Sequence, residues 1–316
     1  MDLISILIPV YNREKFIKET VSCAQNQTYE NIEIVIVDNQ STDNTWTILK
    51  DMAKNDLRIK LFQNRENIGP VRNWKRCIDE AKGKYGKILW SDDLIAHDFL
   101  EKTIHFFIDH DDIGFVFVGT EIFTDGNTYK TDAYFIGKSG IYDSEKFIKG
   151  LLFGTNYPVS PGCALFRLND LKNNLLIDIP NKIGSDFSQH AIGNDLLIFL
   201  FTAHQYPKFA FVNEKLSFFR GHDESISISS TQRELILYYD IVKAHFVENF
   251  RPDLIPKING VIWLHLVWLE FRGNQDTLLL NVKSLKDFYM NNCNFRISWT
   301  CLLFYIIHKI FRSRVC

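Results

Sequence analysis

The residues best placed to do chemistry fall in four short clusters within the first 93 positions: Pro9-Val10-Tyr11-Asn12-Arg13, Asp38-Asn39-Gln40-Ser41-Thr42-Asp43, Asn64-Arg65-Glu66-Asn67-Ile68-Gly69 and Ser91-Asp92-Asp93. The last carries the sharpest physics. Two adjacent carboxylates repel unless a cation or a proton sits between them. Hard divalent ions such as Mg²⁺ and Mn²⁺ prefer carboxylate oxygens and often bridge to substrate phosphates. Taken singly, each cluster also reads as ordinary helix-capping polarity, with Asp92 capping the next helix and Asp93 in solvent. Their common position argues for more, because each follows a short apolar run.

Those runs are the elements that must position the clusters. Leu3–Val10, Ile32–Val37, Ile59–Phe62 and Lys87–Trp90 have the length and composition of buried strands. Between them, apolar residues recur at helical spacing: Phe16, Ile17, Thr20, Val21 and Ala24, then Trp46, Leu49 and Ala53, then Trp74, Ile78 and Ala81. Asn12 is expected to cap the first helix and Ser41 or Thr42 the second, while Pro70 suits the first turn of the third. Strands alternating with helix-length crossovers imply an α/β fold with a parallel, right-handed sheet, and ligands bind at the carboxyl ends of such strands. All four clusters then lie along one edge.

From residue 111 the rhythm changes. Ile113–Val118, Phe209–Val212 and Leu216–Phe219 read as strands and Asn194–His204 as a helix, with turn residues scattered through 119–193. From Thr231 the chain is helical and aromatic. The expected organisation is a domain over 1–228, with a nucleotide-binding half at 1–110 and an acceptor half at 111–228, followed by a helical extension over 229–316.

Composition narrows the classes. In 316 residues, 46% are hydrophobic and 23% charged, which is globular usage and excludes a disordered chain. The net charge of -2 disfavours a nucleic-acid binder. The six cysteines include no C-x-x-C pair, which argues against a zinc site or a disulfide framework. The first turn, Pro9–Arg13, has no glycine, so the G-x-G-x-x-G of dinucleotide enzymes is missing, and no G-x-x-x-x-G-K-S/T occurs.

The clusters also resemble a family. Ile6-Leu7-Ile8-Pro9-Val10-Tyr11-Asn12-Arg13-Glu14 is similar to the opening of family-two glycosyltransferases of GT-A fold. Val35-Ile36-Val37-Asp38-Asn39-Gln40-Ser41-Thr42-Asp43-Asn44-Thr45 resembles their D-D-x-S-x-D-x-T signature, Asn67-Ile68-Gly69 their N-x-G loop, and Leu89-Trp90-Ser91-Asp92-Asp93 their metal-binding D-x-D region. A weaker likeness runs through Gly193-Asn194-Asp195 and Phe219-Arg220-Gly221-His222 to about Ser227; beyond 230 there is none. The resemblance implies a GT-A-type (Rossmann-like), mostly parallel sheet flanked by helices.

It also implies roles. Asp38 would bond the nucleotide base, with Pro9, Tyr11, Arg13 and Asp43 lining the same pocket and Asn67 and Gly69 forming its loop. Asp92 would face the ribose or metal. Asp93 and His222 would ligate Mn²⁺ or Mg²⁺ on the diphosphate. Asp195 would be the general base, ionised at neutral pH with an ordinary carboxyl pKa of ~3.9. Three departures stand out: Asn39 where a second acid is usual, Trp90 for the first Asp of the D-x-D-D run, and Asn194 in place of Glu. They leave Asp186 as an alternative base.

The function this implies is an inverting transfer of one sugar from a nucleotide-diphosphate sugar, of the uridine type, to an acceptor hydroxyl. The acceptor would be a lipid-linked or growing surface glycan of O-antigen or capsule kind. The alternative is a catalytically inactive nucleotide-sugar-binding module. After Asp287 the chain carries Arg296, Lys309, Arg312 and Arg314 and no acid. The segment 296–314, apolar at its centre and basic at its ends, reads as a helix that lies on an anionic membrane surface, with Trp299, Leu302, Leu303, Ile306 and Ile310 on one stripe. The same stripe could instead close the core or form a dimer contact. A cytoplasmic protein, peripheral at the cytoplasmic membrane face, is expected.

Overall fold

Apolar β-branched runs form the first two strands, and β1 (Ile4–Val10) and β2 (Ile32–Asp38) are buried along their whole length. Strands covered on both faces need no polar alternation, which is the usual state of a parallel sheet between helices. Helix α1 (Ile17–Gln25) buries Ile17, Thr20, Val21 and Ala24 on one face. Helix α2 (Thr45–Asn55) leads to β3 (Ile59–Gln63), and α3 (Pro70–Glu80), opened by its proline, leads to β4 (Tyr85–Ile88). The order β3-β2-β1-β4 is parallel throughout. The chain leaves β1 toward β2 on one side and later lays β4 on the other, so strand order reverses at β1 and a crevice opens at the carboxyl ends.

The computed structural model describes all residues except 109, 125–128, 155, 224, 226–229, 272–281, 292–294 and 313–316. The second half continues with β5 (Leu94–Ile95), α4 (Phe99–Ile108), β6 (Ile113–Thr124), β7 (Lys130–Ala133), β8 (Gly140–Asp143), α5 (Ser144–Leu152), β9 (Ala164–Arg167), α6 (Leu168–Asn174), α7 (Phe187–His190), α8 (Asn194–Gln205) and β10 (Lys208–Gly221). The sheet extends as β4-β9-β6-β10-β5, with β9 antiparallel to both its neighbours and β10 parallel to β6. The sheet is therefore mixed, and its wholly parallel part is the first four strands.

The two strands expected at 209–212 and 216–219 are one 14-residue strand, β10, with register shifts at Val212/Lys215 and Lys215/Ser217. The polar Asn213-Glu214 marks a bulge rather than a turn. Unbroken, the strand carries Arg220 to the edge where β4 ends. A plug of aromatic rings fills the core of this half: Phe115 lies 4.8 Å from Phe147, 5.0 Å from Phe199 and 5.6 Å from Phe209, in edge and stacked contacts.

Helix α9 (Gln232–Phe250) starts with a capping box of Thr231 and Glu234. It is followed by α10 (Ile255–Phe271) and α11 (Trp299–Arg312). The apolar stripe expected on α11 divides: Leu302 is buried against Gly260 of α10, whereas Trp299 and Leu303 are 63% and 59% exposed. The side chains of Ile310 and Arg312, and residues Cys293 and Arg314, lie outside the described ones. Among the described residues no helix is long and apolar enough to cross a membrane, and Cys23, Cys77, Cys163 and Cys301 are free thiols.

Candidate functional site

The loops after β1 and β2 are fastened to each other. Asn12, at φ +49°, occupies the left-handed region that Asn tolerates. Its side-chain oxygen accepts from Thr42 N at 2.8 Å, and its own N–H donates to Ser41 Oγ at 2.9 Å. Arg13 N donates to Thr45 Oγ1 at 2.7 Å and Glu14 N to Asp43 Oδ2 at 3.1 Å. This corrects the capping expected from sequence: α1 follows Phe16 and α2 follows Asn44, neither with a side-chain cap. The polar side chains bridge the two loops instead, because adjacent parallel strands end side by side, with Val10 opposite Asp38. Hydrogen bonds to Thr45 and Glu14 outweigh burial and lower the pKa of Asp43. Pro9 is buried inside β1 opposite Val37, and Tyr11, 38% exposed, stands at the crevice edge.

Asp38 is fully buried. Its carboxylate accepts from Ser41 N at 3.1 Å, from Gln63 Nε2 at 2.9 Å and from Ser41 Oγ. Beside it, Asn39 uses both ends of its amide. Its oxygen accepts from Asn64 Nδ2 at 2.7 Å and Ile68 N at 3.0 Å, and its nitrogen donates to Asn67 Oδ1 at 2.8 Å and Gly69 O at 3.3 Å. An acid here could not donate, which explains the departure at 39. Gly69 sits at φ +82°, ψ 162°, a region essentially confined to glycine, and a Cβ there would lie 2.9 Å from the Gln189 side chain.

At the end of β4, three distant segments converge. Asp92 Oδ2 accepts from Arg13 Nε at 3.3 Å and lies 2.9 Å from His222 Nε2. Asp93 Oδ1 accepts from Arg220 N at 2.9 Å, and Arg220 Nε donates to Asp92 O at 3.0 Å. Phe16 supports the group from α1's approach, its ring 4.8 Å from His222 and 5.0 Å from the Arg220 guanidinium. Burial, then the neighbouring charge of Asp92, pushes the pKa of Asp93 well above the ordinary carboxyl value. Below lies Lys87, fully buried, donating to Ile88 O at 3.0 Å and to Gly162 O and covering the Phe99 ring at 4.5 Å. Burial lowers its pKa to about 8.

Asp195 lies in the first turn of α8, where Oδ1 accepts from Gly193 N at 3.0 Å and Leu196 N at 2.8 Å. Burial pushes its pKa up to about 7, although these N–H groups and the Tyr239 hydroxyl favour the charged form. This corrects the expectation of an ordinary carboxyl group. Asp186 is exposed and caps α7, accepting from Ser188 N at 2.9 Å and Ser188 Oγ at 2.5 Å. The Ser188 hydroxyl lowers its pKa. Tyr134 sits at φ +66°, and burial, with smaller contributions of the same sign from Cys163, Asp195 and Asp93, raises its phenol pKa.

Tyr134, Tyr239 and Lys87 carried no signal in the sequence, since none falls in a motif. The other two departures have packing reasons. Trp90 donates to Ser160 Oγ at 2.9 Å and packs on Trp74 at 4.6 Å. Asn194, fully buried, donates to Leu176 O at 2.8 Å and Ile177 O at 3.0 Å, which a glutamate could not do.

The donors suit a divalent cation whose shell is completed by substrate oxygen and water. Among the described residues no group of three or more His, Cys, Asp and Glu side chains could hold a metal alone. Mg²⁺-type sites often use only one or two carboxylates plus phosphates. Asp93, whose ionisation is opposed by burial and Asp92, is a carboxylate that a cation would relieve. A cation on His222 Nε2 would replace that nitrogen's contact with Asp92.

Comparison with known proteins fits this arrangement. A family model described as Glycosyl transferase family 2 matches residues 5–175. An uncharacterized glycosyltransferase of Haemophilus influenzae is 40% identical over 108 residues, covering 34% of this chain and 43% of that one, less than half of its length. The UDP-Glc:alpha-D-GlcNAc-diphosphoundecaprenol beta-1,3-glucosyltransferase WfaP of Escherichia coli is 27% identical, over 77% of this chain and 87% of its own. The crystal structure of S. aureus TarS 1-349 in complex with UDP-GlcNAc superposes at a TM-score of 0.63 and 18% identity, over 90% of this chain and 77% of that one. The likeness is one of fold, the GT-A type.

Proposed function

This chain belongs to glycosyl transferase family 2, and on that premise we propose that it is an inverting enzyme that moves one sugar from a uridine-diphosphate sugar to a hydroxyl of a glycan carried on a polyprenyl diphosphate. The observation that carries the reading is the convergence at the end of β4 of Asp92 and Asp93 with Arg13, Arg220 and His222, drawn from three distant segments.

In this reading Asp38, Tyr11, Arg13 and Asp43 hold the nucleoside, with Pro9 behind them, and the 67–69 loop closes over it. Asp92 orients Arg13 and His222 at the ribose. Asp93 and His222 hold Mn²⁺ or Mg²⁺, which when bound supplies charge stabilisation to the departing diphosphate. Asp195 accepts the proton of the acceptor hydroxyl as its oxygen bonds to the anomeric carbon. The bond to the diphosphate breaks on the opposite face, and its electron pair leaves with the nucleotide. A carboxylate with a pKa near the working pH is well matched to that proton transfer. Asp186, tied as the cap of α7, is the poorer candidate.

The acceptor class is supported by the activity for which WfaP is named and by the exposed Trp299 and Leu303 of α11, which suit reversible contact with the cytoplasmic face of a membrane. The residues from 229 on would form the extension that makes this contact, behind the catalytic domain at 1–228.

The test is nucleotide release and product formation by the full chain, with Mn²⁺, from a panel of uridine, guanosine and adenosine diphosphate sugars and a synthetic prenyl-diphosphate glycan. A product of inverted anomeric configuration from a uridine donor is expected. Donor binding with no transfer to any acceptor would instead point to an inactive binding module.

A further inference from the structure

A cavity of about 340 Å³ lies in the C-terminal extension, beyond the residues that the family model matches. One wall is α10, where Trp263, Leu266 and Val267 recur at three- and four-residue spacing and so share a helical face. The other wall is Leu285, at the start of a 3₁₀ turn (Leu285–Phe288), with Phe295 beyond it. This second wall is firmly anchored. Ser284 and Asp287 close a capping box around the turn. Phe288 and Tyr289 are buried, and the Tyr289 hydroxyl donates to Asn259 Oδ1 of α10 at 2.7 Å. Glu248 of α9 accepts from Met290 N at 3.0 Å and from Asn291 N at 2.6 Å. Two walls anchored in this way hold open a cleft at the lower end of ligand-pocket size.

The lining is apolar within and cationic at its mouth. Lys283 and Lys286 line the cleft and are exposed, with the Lys286 ammonium 6.0 Å from the Phe295 ring centre. Lys182, from the loop that leads into α7, donates to Lys286 O at 3.1 Å and brings a third exposed cation to the same rim. Among the described residues no carboxylate forms an ion pair with any of the three. The acid beside them is Asp287, whose Oδ2 accepts from Lys283 N at 2.9 Å, Ser284 N at 2.8 Å and Ser284 Oγ at 3.2 Å. Trp263 also meets Trp299 of α11 edge-on, with centroids 5.6 Å apart, so the cleft adjoins the helix that exposes Trp299 and Leu303. An apolar slot with a cationic rim, next to an exposed apolar helix, suits a lipid with an anionic head. A cleft of this volume takes part of one chain rather than the two of a phospholipid, and three lysines match a diphosphate better than a single phosphate. We propose that the cleft binds the polyprenyl diphosphate that carries the acceptor glycan, its first isoprene units between Trp263, Leu266, Val267 and Leu285 and its diphosphate against Lys283 and Lys286. The assignment rests on the reading of the acceptor as a prenyl-linked glycan. The Lys182 bond ties the rim to the loop that runs into α7 and α8, so the glycan sets off from the acceptor side of the crevice.

The test is calorimetric binding of monomeric farnesyl diphosphate to the full chain, with Mg²⁺ and saturating UDP occupying the donor site. Binding is expected, and it should be about ten-fold weaker for farnesol and for inorganic diphosphate, each of which makes only half of the contacts. Lys283→Ala with Lys286→Ala changes two exposed side chains, so the melting temperature should hold while farnesyl diphosphate binds about ten-fold more weakly. Val267→Phe fills the cleft and should weaken farnesyl diphosphate and farnesol alike; where it folds poorly, the lysine pair decides. KM for a synthetic prenyl-diphosphate glycan should rise in step with the lost affinity of the lysine variant. Displacement of farnesyl diphosphate by UDP, binding unchanged in the lysine variant, or equal binding of dihexanoyl phosphatidylglycerol would each overturn the proposal. The two readings fail separately. Farnesyl diphosphate bound as expected, with no transfer from any uridine donor, removes the activity and keeps the site. Transfer to the prenyl-linked acceptor with a KM unmoved by the lysine changes keeps the activity and removes the site.

Discussion

His222 Nε2 stands 2.9 Å from Asp92 Oδ2, although 130 residues separate them. The contact exists because β10 runs unbroken past its bulge and pairs with β5, the short strand that follows Asp93. It closes the crevice on the side opposite the two fastened loops, and places an imidazole and two carboxylates at one strand end.

Asp93→Asn is expected to remove transfer almost wholly, by at least about 10²-fold in kcat, if a cation stabilises the leaving group. The change keeps an oxygen to accept from Arg220 N, a bond of 2.9 Å in the native protein, so the melting temperature should hold. Mn²⁺ binding followed by electron paramagnetic resonance in the presence of UDP should weaken in parallel. Native turnover in the variant with metal chelated would defeat the assignment.

Asp195 couples activity to stability. An unfolded aspartate titrates near about 4, whereas burial holds this one at about 7. Between those values the native state keeps a proton that the unfolded chain has lost. Stability therefore falls as pH rises through that window and levels off above it. Asp195→Asn, neutral throughout, should melt higher than the native protein at pH 8 and close to it at pH 4, while kcat falls by about 10²–10⁴-fold. Melting curves and rates across that range check both halves, and equal melting at pH 8 would contradict the first.

Restoring the usual acid at position 39 should do harm. Asn39→Asp places a carboxylate against Asn67 Oδ1 and Gly69 O, which the native amide reaches at 2.8 Å and 3.3 Å as a donor. Leaving those acceptors unmet should cost about 1–3 kcal/mol in urea unfolding. Donor KM should rise as the 67–69 loop loosens. An unchanged unfolding midpoint would show that the network contributes little.

Membrane contact can be read by flotation with vesicles containing phosphatidylglycerol. The native chain should float at low salt and less at high salt, since basic residues at an anionic surface contribute on the order of 1 kcal/mol each. Trp299→Glu with Leu303→Glu alters two exposed side chains, so binding should be lost without loss of fold. A native chain that stays in the soluble fraction at low salt would leave α11 as a packing element alone.

Most of the first half was readable in the sequence. A strand buried on both faces is a continuous apolar run, and the loop after it must carry polar residues, so Asp38, Asp92 and Asp93 declared their place at one sheet edge. Periodicity also found the buried face of α1. What it missed was which partner each loop residue chooses. Asn12, Ser41 and Thr42 looked like caps because capping is a local rule, yet each found a nearer partner on the adjacent loop, across 29 or 30 residues. Lys87 read as an ordinary strand residue, and only folding showed its ammonium buried between two carbonyls under Asp93. The raised pKa of Asp195 belongs wholly to tertiary structure. Burial sets it and leaves no mark on the residues around position 195, because desolvation depends on what packs over a group rather than on its neighbours in the chain.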